Sequence, residues 1–171
     1  MPYEFKMTRL VEFAETDMAG IMHFANYFRY MEAVEHAFFR SLGLSVHETT
    51  AEGMNGFARI HASCDYLAPL RYQDEVEIHL LVVEKRSKSI TYEAIFRKLN
   101  DSGESSAGGS NSGGSNSGGS NSGGEIARGR WTVVCVAKDR NDAQMKSVTF
   151  PADVDSKIEV APHEMLGTKD D

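Results

Sequence analysis

Between Tyr27 and Leu42 the apolar residues fall on a helical period. Tyr27, Tyr30, Met31, Val34, Phe38 and Leu42 recur at i, i+3, i+4 and i+7 spacing, while Arg29, Glu32, His36 and Arg40 lie mostly off that stripe. The pattern predicts one amphipathic helix of about four to five turns, with Asn26 as its N-cap and Gly43 as its stop. A helix this apolar needs a broad apolar surface to cover it, and that requirement constrains the rest of the chain.

The covering surface is legible as strands. Near the N-terminus Tyr3, Phe5 and Met7 alternate with Glu4, Lys6 and Thr8, the two-residue period of a half-buried strand that should end near Phe13. Residues 57–67, 75–86, 89–99 and 126–137 are each alternating or rich in β-branched and aromatic residues. Val76, Ile78, Leu80 and Val82 share one face, as do Ile90, Tyr92, Ala94 and Phe96, with Ser87 and Lys88 at the turn between them. Short 3₁₀ or helical pieces are expected after Gly43. The order strand, helix, four strands predicts an α+β fold, an antiparallel sheet packed on a single central helix.

With 171 residues, of which 41% are hydrophobic, the chain is long enough for one domain with its own core, taken as residues 1–171. Residues 108–124 read GGSNSGGSNSGGSNSGG, a repeat with no apolar side chain to bury. The whole stretch 101–124 is therefore expected to be a flexible Gly/Ser/Asn-rich insertion at a hairpin tip, where added length is best tolerated. A net charge of -7 gives no general reason to expect nucleic acid as a partner, since phosphate binding needs a concentrated positive face. No run has the length of a membrane span, and MPYEFKMTRL lacks the apolar middle of a signal peptide, so the chain is expected in the cytoplasm. Cys64 and Cys135 have no CxxC spacing and read as buried thiols.

Ahead of the helix stands the string VEFAETDMAGIMHFANYFRYMEAVEHAFFRSLGL, followed later by DYLAPLRYQDEVEI. Asp17, Gly20, His23, Phe24, Asn26 and Tyr27 form a signature of an aspartate, a glycine three residues on, an aromatic or histidine pair, and Asn-Tyr opening the helix. It resembles that of the hot-dog acyl-CoA thioesterases of the 4-hydroxybenzoyl-CoA thioesterase family. The resemblance covers roughly residues 3–160 without the insertion. It implies the hot-dog fold, in which a curved antiparallel β-sheet wraps one long central helix. It also implies hydrolysis of an acyl-CoA without a cofactor, in homodimers or homotetramers whose active sites lie at subunit interfaces. Asp17 would be the general base or nucleophile and the Phe24 N–H the donor to the carbonyl, with His23 and Gly20 beside them and Tyr27 in the substrate-binding set. One departure is visible: many relatives carry histidine at the position Phe24 occupies here, with the present His23 one place earlier.

Elementary chemistry supports the same residues. A carboxylate such as Asp17 can take a proton from water or attack the thioester carbon, and spacing does not choose between the two routes. The helix begins about seven residues on, and its unpaired backbone N–H groups carry partial positive charge suited to a developing oxyanion. Gly20 admits the bend that brings both to one atom. The structural alternative for Asp17 is a loop or capping aspartate, and for His23 a packed loop residue.

Lys85, Arg86 and Lys88 make a local basic run at a predicted turn, and by the resemblance they would contact the CoA phosphates, the structural alternative being an ordinary soluble hairpin tip; Arg128 and Arg130 either join them or face solvent. Glu32, Glu35 and His36 read as a solvated or interface-facing charged stripe. His61, Ser63 and Asp65 share one strand face that lines a pocket or a subunit boundary. The segments around His36 and at HETTA, residues 47–51, lack metal-ligand spacing, so no metal site is expected. Two other classes stay open: an acyl-thioester hydratase or dehydratase using His23 and Glu32, and a non-catalytic acyl-thioester binding subunit.

Overall fold

The computed structural model describes residues 1–49, 51, 53–99, 124–142 and 144–166. The insertion expected at 101–124 lies outside the described residues except for Gly124. In chain order the elements are β1 (Glu4–Leu10), α1 (Ala25–Ser41), β2 (His47–Thr49), β3 (Gly53–Tyr66), β4 (Glu75–Lys85), β5 (Ser89–Lys98), β6 (Glu125–Asp139), β7 (Lys146–Ser147) and α2 (Ala152–Lys157), with 3₁₀ turns at Phe13–Glu15 and His163–Met165. Every pairing is antiparallel, in the order β1-β4-β5-β6-β3-β2 with β7 on β6.

The curved sheet wraps α1, which touches β1 and β4 toward one end of the strand order and β6 and β3 toward the other. The period-2 faces anticipated from sequence form the concave wall: Val76, Ile78, Leu80, Val82, Ile90, Tyr92, Ala94 and Phe96 are all fully buried. Against them lies the helical stripe, with Tyr27, Tyr30, Met31, Val34 and Phe38 buried. Each fully buried large apolar side chain in this interface contributes about 1.5–3 kcal/mol relative to leaving it exposed. At Gly129 of β6 a Cβ would stand 2.6 Å from the Met31 sulfur of α1, so a larger residue there would force the buried Met31 side chain to shift. The architecture is the hot-dog fold.

Several expected boundaries moved. The first strand stops at Leu10 rather than near Phe13, because Val11 turns to pair its backbone with Asp74 and Gln73 before the 3₁₀ turn begins. After Gly43 the chain forms the strand β2, edge-paired to β3, and not a helical piece. Asn26 is not the N-cap of α1. Phe24 holds that position, and Asn26 lies buried in the first turn, where its side-chain amide donates to the Glu15 carbonyl at 2.7 Å. At the other end Gly43 (φ 67°) follows the C-cap Leu42, as the sequence suggested. The tail from Pro151 was not anticipated as structured. Val154 and Ile158 enter the core, and Ala161 packs on Leu81 and Ile95 on the back of the sheet.

Candidate active site

Thr16 and Met22 form an isolated bridge that closes a short loop over Asp17–Ile21. Inside it the Asp17 amide donates to Ile21 O at 2.9 Å, and the Gly20 amide donates to Asp17 O at 3.0 Å. Gly20 takes φ 73°, a left-handed conformation that other residues adopt at a cost. The Asp17 carboxylate is exposed and accepts the Ala19 amide through Oδ1 at 2.8 Å, a local Asx turn. Asp17 is thus oriented by its own loop, and among the described residues Oδ2 has no hydrogen-bond partner.

The loop is stapled to the start of α1 by Glu15, whose carbonyl accepts both the His23 amide at 2.8 Å and the Asn26 side chain. The staple carries the chain past His23 into Phe24, whose backbone N–H donates no hydrogen bond among the described residues. That orphan donor sits at the positive end of a helix of 17 residues. His23 does something more local: its Nδ1 accepts the Ala25 amide at 3.3 Å, and its ring lies against that of Phe24, centroids 4.5 Å apart. It caps the first turn from the loop side.

Asp17 and Phe24 line one open cleft of about 500 Å³ together with Ile21, Met22, Tyr27, Tyr66, Leu67, Ala68 and Pro69. Such a volume is in the usual range for small-molecule sites, roughly 300–1,000 Å³. Tyr27 and Tyr66 meet edge to face at 5.0 Å, and burial pushes each hydroxyl up to about 12, so both rings are neutral walls. The Tyr66 hydroxyl donates to the Phe24 carbonyl at 3.4 Å, joining the end of β3 to the start of α1. Among the described residues Asp17 is the only carboxylate on an otherwise largely apolar and aromatic lining. The segment Tyr66–Pro69 was not singled out from sequence as lining; its signal was the string DYLAPL, distant in the chain and joined to Asp17 only by the fold.

Other singled-out residues lie elsewhere. Lys85, Arg86 and Lys88 flank the β4–β5 turn, whereas the cleft lies at the far end of those strands, where Tyr27 packs on Phe96 and Phe96 pairs with Ile78. From Ile78 to Lys85 the strand runs about 23 Å at 3.3 Å per residue, so a single chain does not bring this turn to Asp17. Lys85 is taken up by the tail, pairing with the Asp155 carboxylate at 2.8 Å and donating to Ile158 O at 3.0 Å. Arg86 pairs with Glu84, and Lys88 donates to Ser147 O. Arg128 is bound to Glu93 and Glu125. His61, Ser63 and Asp65 are exposed on β3.

Glu35 overturns the expectation of a solvated stripe. It is 3% exposed and accepts the Trp131 indole N–H at 2.9 Å and Arg59 Nη2 at 2.7 Å. Burial raises its carboxyl above the ordinary range, against the pull of Arg59 and the indole. Glu32 and His36 border a second cleft of about 460 Å³ beside this pair, separate from the Asp17 lining, and His23 lines neither cleft. No metal-ligand cluster occurs among the described residues, and none of their helices is long and apolar enough to cross a membrane.

Comparison with known proteins fits this geometry. Residues 11–158 match the model of the thioesterase-like superfamily. A candidate esterase of Aquifex aeolicus (strain VF5) is 37% identical over 98 residues, 57% of this chain and 74% of the relative. The 4-hydroxybenzoyl-CoA thioesterase of Pseudomonas sp. (strain CBS-3) is 29% identical over 91 residues, 52% of this chain and 64% of the relative. The crystal structure of a D-to-N variant of 4-hydroxybenzoyl-CoA thioesterase with 4-hydroxybenzoyl-CoA superposes with a TM-score of 0.69 at 16% identity, covering 92% of this chain and 99% of that one. The family match takes in the Asp17 loop, α1 and strands β2 to β7, and the chain belongs to the thioesterase-like superfamily, as a hot-dog thioester hydrolase.

Proposed function

We propose that the chain hydrolyses an acyl-CoA to the free carboxylic acid and coenzyme A, with Asp17 as general base or nucleophile and the Phe24 amide polarising the thioester carbonyl. One arrangement carries the reading: Asp17, with a carboxylate oxygen that has no partner among the described residues, and Phe24, whose helix N-terminal amide likewise has none there, line the same largely apolar cleft. The thioester carbonyl would accept the Phe24 N–H, and negative charge growing on that oxygen would meet the positive end of α1. As base, Asp17 would take a proton from the attacking water. As nucleophile, it would form an acyl anhydride that water then opens. Either way the thiolate of coenzyme A leaves. The neutral lining of Tyr27, Tyr66, Ile21 and Leu67 suits an uncharged acyl group.

The reading takes the enzyme as cytoplasmic and as a homodimer or homotetramer. Support for assembly is the outer edge of β3 from Phe57 to Tyr66, which has no strand partner among the described residues, beside Ile60 and Leu67, each 64% exposed. Such an edge invites a second copy. The basic turn stands at the far end of β4 and β5 from the cleft, so Arg86 and Lys88 would meet the CoA phosphates only across the length of the pantetheine arm or from a neighbouring copy.

The test is a panel of acyl-CoAs followed for free thiol and, separately, for loss of an enoyl chromophore. Thiol release with the chromophore intact is expected. Chromophore loss without thiol release would instead mean hydration, and binding without either would mean a non-catalytic subunit.

A further inference from the structure

Asp17 is exposed, and its position relative to the Phe24 amide depends on how the loop is rooted. The root is Glu15. Besides the two hydrogen bonds to its carbonyl, its side chain is engaged on both oxygens. Oε2 accepts the Tyr30 hydroxyl at 2.6 Å and the Glu12 amide at 2.9 Å, and Oε1 faces Arg9 Nη2 at 3.9 Å. The Arg9 guanidinium in turn lies over the Tyr30 ring, 4.6 Å from its centre. Three elements therefore meet on one residue: β1 through Arg9, the 3₁₀ turn through Glu12, and the first two turns of α1 through Asn26 and Tyr30. Asn26 is 7% and Tyr30 1% exposed, so two buried polar side chains of the helix are directed at a residue two places before Asp17. A short hydrogen bond to an ionised acceptor is among the stronger and more directional contacts in proteins. Thr16 alone separates this anchor from Asp17, and Thr16 is itself bridged to Met22.

We propose that Glu15 is a positioning residue: clamped by Tyr30, Asn26, Glu12 and Arg9, it fixes the Asp17 carboxylate opposite the Phe24 amide. The inference rests on the hydrolytic reading above. Removing the Glu15 side chain leaves the carbonyl staple but frees the loop root from Tyr30 and Arg9. Glutamine keeps one acceptor oxygen for Tyr30 and Glu12 and gives up the charge and the second oxygen, which faces Arg9.

Glu15→Ala, Glu15→Gln and Asp17→Asn are compared in thiol release, with circular dichroism for fold and backbone hydrogen exchange for the loop. Glu15→Ala is expected to lower kcat by at least about tenfold, since small misplacements of a reacting group are that costly, while KM stays within about threefold. Exchange should rise at residues 17–23 and stay low in the buried middle of α1. Glu15→Gln should recover most of the kcat and the loop protection. Should Glu15→Ala not fold, Tyr30→Phe carries the same test, removing the hydroxyl and leaving the ring. A near-normal kcat in Glu15→Ala with Asp17→Asn inactive would overturn the role of Glu15 and leave Asp17 standing. Equal losses in Glu15→Gln and Glu15→Ala, or a kcat loss with unchanged exchange at 17–23, would also overturn it. A fully active Asp17→Asn would remove the assignment of Asp17 and this inference with it.

Discussion

The indole of Trp131 and the carboxylate of Glu35 meet at 2.9 Å although 96 residues separate them in the chain. Arg59 completes the group, its guanidinium bound to the same oxygen and stacked 5.7 Å from the Trp131 ring centre. Both partners donate to this buried carboxyl and offset part of the cost that burial places on its charged form.

Arg59→Met should therefore destabilise the protein by about 2–3 kcal/mol at neutral pH, below the full cost of orphaning a buried charge because solvent reaches part of Arg59. Burial raises the folded-state value of Glu35, so the folded protein holds this proton more tightly than the unfolded chain. The stability from that group is fully present below the unfolded value of about 4.3 and is lost as pH rises through the raised folded value. Losing Arg59 raises that value further, so the deficit of Arg59→Met should grow from pH 4.5 to pH 7.5, roughly as the carboxylate ionises. Urea melts of both proteins at the two pH values check this; an equal deficit at both would contradict it.

His79 gives the opposite slope. It is 7% exposed on β4 and burial lowers its pKa, against the Glu4 carboxylate that holds its Nε2 at 2.8 Å. The unfolded chain then binds this proton more readily. The stability is present above the unfolded value of about 6.5 and is lost as pH falls through the depressed folded value. Thermal melts from pH 7.5 to 5.0 should show a steeper loss for the native protein than for His79→Gln, and parallel curves would argue against the assignment.

The Phe24 amide is open to a direct chemical deletion. Phe24 has φ -53°, within the range proline fixes, and its N–H is spent on no bond among the described residues. Phe24→Pro should thus keep the fold while removing the donor, lowering kcat/KM by about a hundredfold or more. Phe24→Ala retains the N–H and should lose much less. Similar losses in the two variants would place the effect in the ring.

The helix and the central strands were legible because each writes its period into the chain: Tyr30, Met31, Val34 and Phe38 on one, Val76 to Val82 and Ile90 to Phe96 on the other. The grouping of Asp17, Phe24 and Tyr27 was legible because all three lie within one short stretch. Tyr66 to Pro69 escaped notice because β3 and the turn after it, not sequence proximity, bring them to the cleft. Glu35 looked solvated because its immediate neighbours are Glu32 and His36, while its partners stand on two strands. Lys85 looked free for the same reason, its partner Asp155 being in the tail. Asn26 resembled a cap by type, yet a buried amide reaching back to Glu15 does different work.

Asp17→Asn tests the central claim most directly, since it removes the ionised base or nucleophile with little change of size and leaves the Phe24 amide in place. Measured on an acyl-CoA that the native enzyme cleaves, kcat should fall by at least about a hundredfold with circular dichroism unchanged. Turnover near that of the native enzyme would contradict the account.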